Sequence, residues 1–76
     1  MTCTITSPDE TVEYHSVEHI TLPAFSGTME VLPHHAECYA LLQHGTITIA
    51  HNNTADHIPV TSGQCHIQGD AVLIIT

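Results

Sequence analysis

Apolar and polar residues alternate in short stretches along this chain, and that alternation limits the fold more than any other feature. Cys3 and Ile5, Ile47 and Ile49, Ile58 and Val60, Cys65 and Ile67, and Val72 and Ile74 each stand two positions apart. Successive side chains of a strand point to opposite faces, so this spacing puts both members of a pair on one side of a half-buried strand. Turn-forming clusters separate the stretches: Ser7-Pro8-Asp9, Ser26-Gly27, Leu32-Pro33, His44-Gly45, Asn52-Asn53, Ser62-Gly63 and Gly69-Asp70. Their recurrence at short intervals is the pattern of sandwiches and barrels. No segment carries a helical stripe; the best candidate, residues 36–42, is short and lies between Pro33 and Gly45. The chain therefore reads as all-β.

The stretch 46–50 shows the logic most clearly. Ile47 and Ile49 are expected inside, with Thr46 and Thr48 outside, and all four are good β-formers. Asn52-Asn53 tolerates left-handed backbone, so the residues through Thr61 should return as the second arm of a hairpin. Pro59 removes a ladder donor and places that arm at an edge. With 76 residues and no repeat, linker or low-complexity stretch, the chain is expected to be one domain, 1–76, of modest stability when alone.

The charge balance is one-sided: no Lys or Arg stands against eight Asp or Glu, for a formal charge of −8, and there are eight His. Phosphate backbones and anionic lipid heads are held by cationic side chains, so nucleic acid is not an expected partner and neither is a polybasic membrane contact. Cys3, Cys38 and Cys65 are widely spaced and odd in number, which fits small apolar residues of a reducing compartment better than a disulfide framework or a thiolate metal site. The first residues lack the charged and apolar regions of a signal peptide, and the apolar run 71–75 is far too short to span a bilayer, so no direct lipid insertion is expected.

Eight histidines raise the question of a metal. His34 and His35 are adjacent, hence on opposite faces of any strand, whereas His15 and His19 have a spacing compatible with one face. The run His34-His35-Ala36-Glu37, with Tyr39 and Gly45 after it, loosely resembles a cupin metal motif, but its spacing is off by one residue, which in a strand reverses the side chains. Ser26 and Ser62 sit in turns without a nucleophile elbow, Asp9 and Glu10 follow a proline turn, and no glycine-rich phosphate cradle is present. No catalytic residue, cofactor or metal ligand is assigned.

Taken as a string, Ile20-Thr21-Leu22-Pro23, Gly27-Thr28-Met29 and Val31-Leu32-Pro33-His34-His35-Ala36 resemble the signature stretch of F-type ATP synthase epsilon subunits. Ile5 with Ser7-Pro8, Gly45, Ser62-Gly63, Gly69-Asp70 and the closing stretch 72–75 extend the resemblance over most of the chain. It departs from the family at Ala24, Glu37, Gln64 and Glu13-Tyr14-His15. The resemblance implies a two-sheet sandwich of about eight to ten short, mostly antiparallel strands. It also implies the short form of the subunit, without a C-terminal helical hairpin and without chemistry of its own. Such a protein sits at the foot of the central stalk, on the cytoplasmic side of the energy-coupling membrane, bound to the gamma subunit and touching the c-ring. By position, Ser26, Gly27 and Thr28, together with Leu32, Pro33 and His35, resemble the c-ring contact loops. Two other readings stand beside this one: a redesign of the same fold stripped of Lys and Arg and of its partners, and a cupin-like metal-binding protein.

Overall fold

The computed structural model describes residues 1–34 and 36–76. Among these, strands β1 (Thr2–Thr6), β2 (Thr11–Tyr14), β3 (Val17–Ala24), β4 (Gly27–Val31), β5 (Cys38–Leu42), β6 (Gly45–His51), β7 (Thr54–Val60), β8 (Gly63–Gln68) and β9 (Ala71–Ile75) follow one another with no helix. The strands hydrogen-bond in the order β2-β1-β9-β8-β5-β3-β6-β7, with β4 added to β3. Pairing is antiparallel except between β1 and β9. The rejected helical candidate contains β5.

The sheet folds over where β5 meets β3 at one register pair, Ala24 with Leu42. One layer is β2-β1-β9-β8-β5 and the other β4-β3-β6-β7. Their inner faces share a core: Cys3, Ile5, Cys65, Ile67, Val72 and Ile74 from the first, and Val17, Ile20, Leu22, Val31, Ile47, Ile49 and Val60 from the second. This is the expected sandwich, its layers continuous at one corner. Its extents of 26 × 26 × 19 Å suit two sheets stacked about 10 Å apart. No buried polar or charged residue interrupts the core among the described residues, so its stability comes from apolar burial, about 1.5–3 kcal/mol for each fully buried large aliphatic side chain.

In β6, Ile47 and Ile49 are fully buried while Thr46 is exposed and Thr48 half-buried, as the alternation requires. Asn52 and Asn53 have φ of 48° and 61°, the left-handed pair that lets a two-residue turn follow the twist of its strands. Thr54 Oγ1 donates to the His51 carbonyl at 2.7 Å and tightens that turn. Pro59 lies on β7, the terminal strand of its layer. At Gly45 a methyl group would stand 2.6 Å from Pro23 Cβ, so the start of β6 can approach β3 only without a side chain.

The spacing of His15 and His19 does not survive folding. Ser16 takes a φ of 57°, and the β3–β6 register slips between Val17 and His19, leaving Glu18 as the extra residue of a bulge. Two breaks in the alternation thus separate the histidines. His15 instead pairs with Glu13 at 2.8 Å, and the Nδ1 of His19 is buried with no hydrogen-bond partner among the described residues.

Candidate interaction surface

The described residues among those assigned by resemblance line one free edge. β4 pairs with β3 alone among the described strands, so its other side is open. Ser26 lies in the tight turn before it, Gly27 and Thr28 begin it, and Leu32 and Pro33 follow it; all five are exposed. Three residues of strand, Met29–Val31, separate the two groups by roughly 13 Å, so they form one strip rather than one loop cluster. His35 lies outside the described residues.

Each end of the strip is tied to the other layer. At the turn, Phe25 N–H donates to the Leu41 carbonyl at 2.9 Å, Gln43 N–H to the Pro23 carbonyl at 2.8 Å, and Gln43 Nε2 to the Ala24 carbonyl at 3.3 Å. At the other end, His34 N–H donates to Asp70 Oδ1 at 3.0 Å, and Glu37 Oε2 lies 3.2 Å from His66 Nε2. Phe25, 67% exposed, borders a groove of about 290 Å³ with Met29, Tyr39 and Leu41.

A second surface was not assigned from the sequence. Across the outer face of the first layer the register aligns Tyr39, His66, Leu73 and Thr4 in one row, and Leu41, Gln64, Ile75 and Thr6 in the next. Tyr39 is 72% and Leu41 63% exposed, with Leu73 and Ile75 also open to solvent. Tyr39 stacks on His66 with ring centroids 4.3 Å apart and planes within 5°. The signal lay in β5 and β9: Cys-Tyr-Ala-Leu-Leu and Ala-Val-Leu-Ile-Ile are apolar in both phases of the alternation, which marks strands meant to be covered on both faces.

A groove of about 530 Å³ is bounded by His44, Gly45, Thr46, Pro59 and Ser62, and carries one titratable side chain among its described lining residues, His44. No group of three His, Cys, Asp or Glu is placed to hold a metal among the described residues. Cys3, Cys38 and Cys65 are free, and burial pushes the Cys3 and Cys65 thiols up to about 12, well away from a reactive thiolate. No helix among the described residues is long and apolar enough to cross a membrane.

Comparison with known proteins agrees with this geometry. An epsilon chain of ATP synthase from Granulibacter bethesdensis is 33% identical over 72 residues, covering 93% of this chain and 53% of that protein. One from Prochlorococcus marinus (strain NATL1A) is 25% identical over 75 residues, covering 99% and 56%. The chain thus spans about half the length of the curated relatives it matches. Among solved structures, a chain of the Euglena gracilis mitochondrial ATP synthase, in an assembly that includes the c-ring, superposes with a TM-score of 0.89 at 26% identity, over 97% of this chain and 48% of that one. A chain from the central stalk and c-ring of the Tetrahymena thermophila enzyme shares the fold, with a TM-score of 0.82 at 14% identity over 97% and 60%. The family described as ATP synthase, Delta/Epsilon chain, beta-sandwich domain, matches over residues 1–76, and the chain belongs to that family.

Proposed function

We propose that residues 1–76 act as one non-catalytic module of the central stalk of a proton-translocating F-type ATP synthase, joining the gamma subunit to the c-ring. The observation that carries this is the outer face of the first layer, where exposed Tyr39 and Leu41 of β5 and Leu73 and Ile75 of β9 stand on either side of His66 and Gln64 of β8, on a sandwich whose core is already complete. Four large apolar side chains left exposed on one sheet face of a small protein mark a docking surface. It is the face for gamma. The β4 edge, with Ser26, Gly27, Thr28, Leu32 and Pro33, is the strip for the c-ring, and His35, outside the described residues, is assigned to the same contact by the resemblance alone. A chain without Lys or Arg calls for partner surfaces rimmed by basic residues, and the module reaches the membrane through these proteins without inserting in lipid.

Family membership favours this over a cupin-like metal protein, and the described residues show no ligand cluster that would favour the latter. Binding to a purified gamma subunit tests the reading. Leu41→Glu and Leu73→Glu should each weaken it at least about tenfold, because they set a charge in the centre of an apolar contact. His57→Gln, on the outer face of the opposite layer, should leave it unchanged. Equal binding by all three variants would refute the assignment of this face.

A further inference from the structure

The backbone of β4 is satisfied on one side only. In an antiparallel pair, residues that exchange hydrogen bonds alternate with residues whose N–H and C=O point away from the partner. Ile20 and Thr21 of β3 pair with β4 on one side and β6 on the other. Pro23 has no N–H, and its carbonyl accepts the Gln43 N–H, from the chain that leads into β6. Its backbone thus faces away from β4, so its register partner Thr28 turns its own N–H and C=O outward, and by alternation Glu30 does the same. Both residues present open backbone donors and acceptors along an edge that no other described strand covers.

Proteins guard such edges with charge, proline, bulges or brevity. Here β7 carries Pro59, and β2 is four residues long with Glu13 among them. In β4 there is no proline and no register shift, and one charge, Glu30. We propose that this edge pairs with a second copy of the chain, β4 against β4, antiparallel about a two-fold axis at Met29, once salt screens the charge between the copies. That register sets Thr28 of each copy opposite Glu30 of the other. Outward backbone groups then meet outward backbone groups, and on the exposed face a hydroxyl meets a carboxylate. The half-buried Met29 side chains meet on the opposite face, beside the groove lined by Phe25, Tyr39 and Leu41. Leu32 of each copy, 51% exposed, comes alongside the Ser26 turn of the other. Sliding the strands by two residues sets Glu30 against Glu30, or pairs Thr28 with itself and leaves Glu30 against the turn, so this register is the self-complementary one. The contact is isologous and closed, because it consumes both β4 edges.

Charge opposes it: each copy carries −8, with no Lys or Arg to meet the other's carboxylates. Screening extends over about 20 Å at 20 mM salt and about 4 Å at 500 mM, so the association constant should rise at least about tenfold between the two. Sedimentation velocity on the chain alone at pH 7.5, over a range of protein concentrations, reads this. Thr28→Glu sets like charges opposite each other and should weaken the dimer about fivefold more than Thr61→Glu, which adds the same charge in the β7–β8 turn. Thr28→Lys places a cation opposite Glu30 and should strengthen the dimer about fivefold at 20 mM salt. A chain that stays monomeric at 500 mM salt, or a dimer that responds alike to the two Glu variants, would overturn the pairing. The consequence for function rests on reading this edge as the c-ring strip: a paired edge is closed to the ring, so isolated c-ring should dissociate the dimer. A salt-dependent dimer with no binding to the ring would keep the pairing and refute the c-ring reading, and ring binding by a chain that is monomeric at every salt would refute the pairing alone.

Discussion

The α-carbon of Gly63 lies so close to the end of β9 that a methyl group on it would stand 2.5 Å from the carbonyl oxygen of Ile75. Gly63 also has a φ of +155°, outside the range that side-chain-bearing residues readily adopt. Both conditions hold where β8 begins against β9, in the layer that carries the outer apolar face. Gly63→Ala should lower the unfolding free energy by about 2–3 kcal/mol, from backbone strain and displaced backbone together. Gly69, at φ +61° with open space around its α-carbon, is the comparison: Gly69→Ala should lose only about 1 kcal/mol. Urea titration of both variants checks the difference.

Ile49→Ala should be more damaging. Ile49 is fully buried between the layers, and truncating such a side chain typically removes 2–5 kcal/mol. A domain of this size has little stability in reserve. The variant should be largely unfolded at 37 °C by circular dichroism, whereas Thr46→Ala, exposed on the same strand, should stay within about 0.5 kcal/mol of the parent.

The thiols should divide by position. Cys3 and Cys65 are fully buried and Cys38 is half-buried. At pH 8 a thiol reagent should label Cys38 first and reach the other two only on unfolding. Burial raises the Cys3 and Cys65 thiols from 9.0 to about 12, so between those values the native state holds protons that the unfolded chain has released. Stability is then fully present below about pH 9 and falls as the pH rises toward 12. Urea midpoints at pH 8 and 10.5 should show the drop, and a Cys3→Ala, Cys65→Ala variant should lessen it.

The one-sided charge has a consequence in mild acid. As the pH falls toward the sequence pI of about 5.2, the net charge climbs from −8 toward zero. Mutual repulsion between copies then fades while the apolar face and the open strand edges remain. Solubility should pass through a minimum between pH 5 and 6, measured as soluble protein after equilibration across pH 4 to 8. A monotonic curve would contradict this.

Much of the fold is legible in the order of residues because strand burial leaves a period of two. Ile47 with Ile49, Cys65 with Ile67, and Val72 with Ile74 all face inward as the alternation requires, and Asn52-Asn53 turns β6 into β7. The parts that were hidden are those where the period breaks or runs on both faces. Nothing in Ser16-Val17-Glu18 announces a left-handed residue followed by a bulge, so the spacing of His15 and His19 alone does not tell which faces they take. In β9 the apolar run hides its own outer half: Val72 and Ile74 were legible as core, while Leu73 and Ile75 emerge as a surface only once β8 and β5 are set beside them. The contacts of His34 with Asp70 and of Glu37 with His66 join residues 36 and 29 positions apart, which strand pairing alone brings together.

The measurement that bears most directly on the account is co-assembly of the chain with a gamma subunit and c-ring from an ATP synthase whose own epsilon chain has been removed, scored for a stoichiometric complex and for restored ATP-driven proton pumping. The account predicts a complex that pumps, and one that Leu41→Glu disrupts. A correctly folded all-β chain that joins neither partner would contradict it and leave a sandwich of this family without the coupling role.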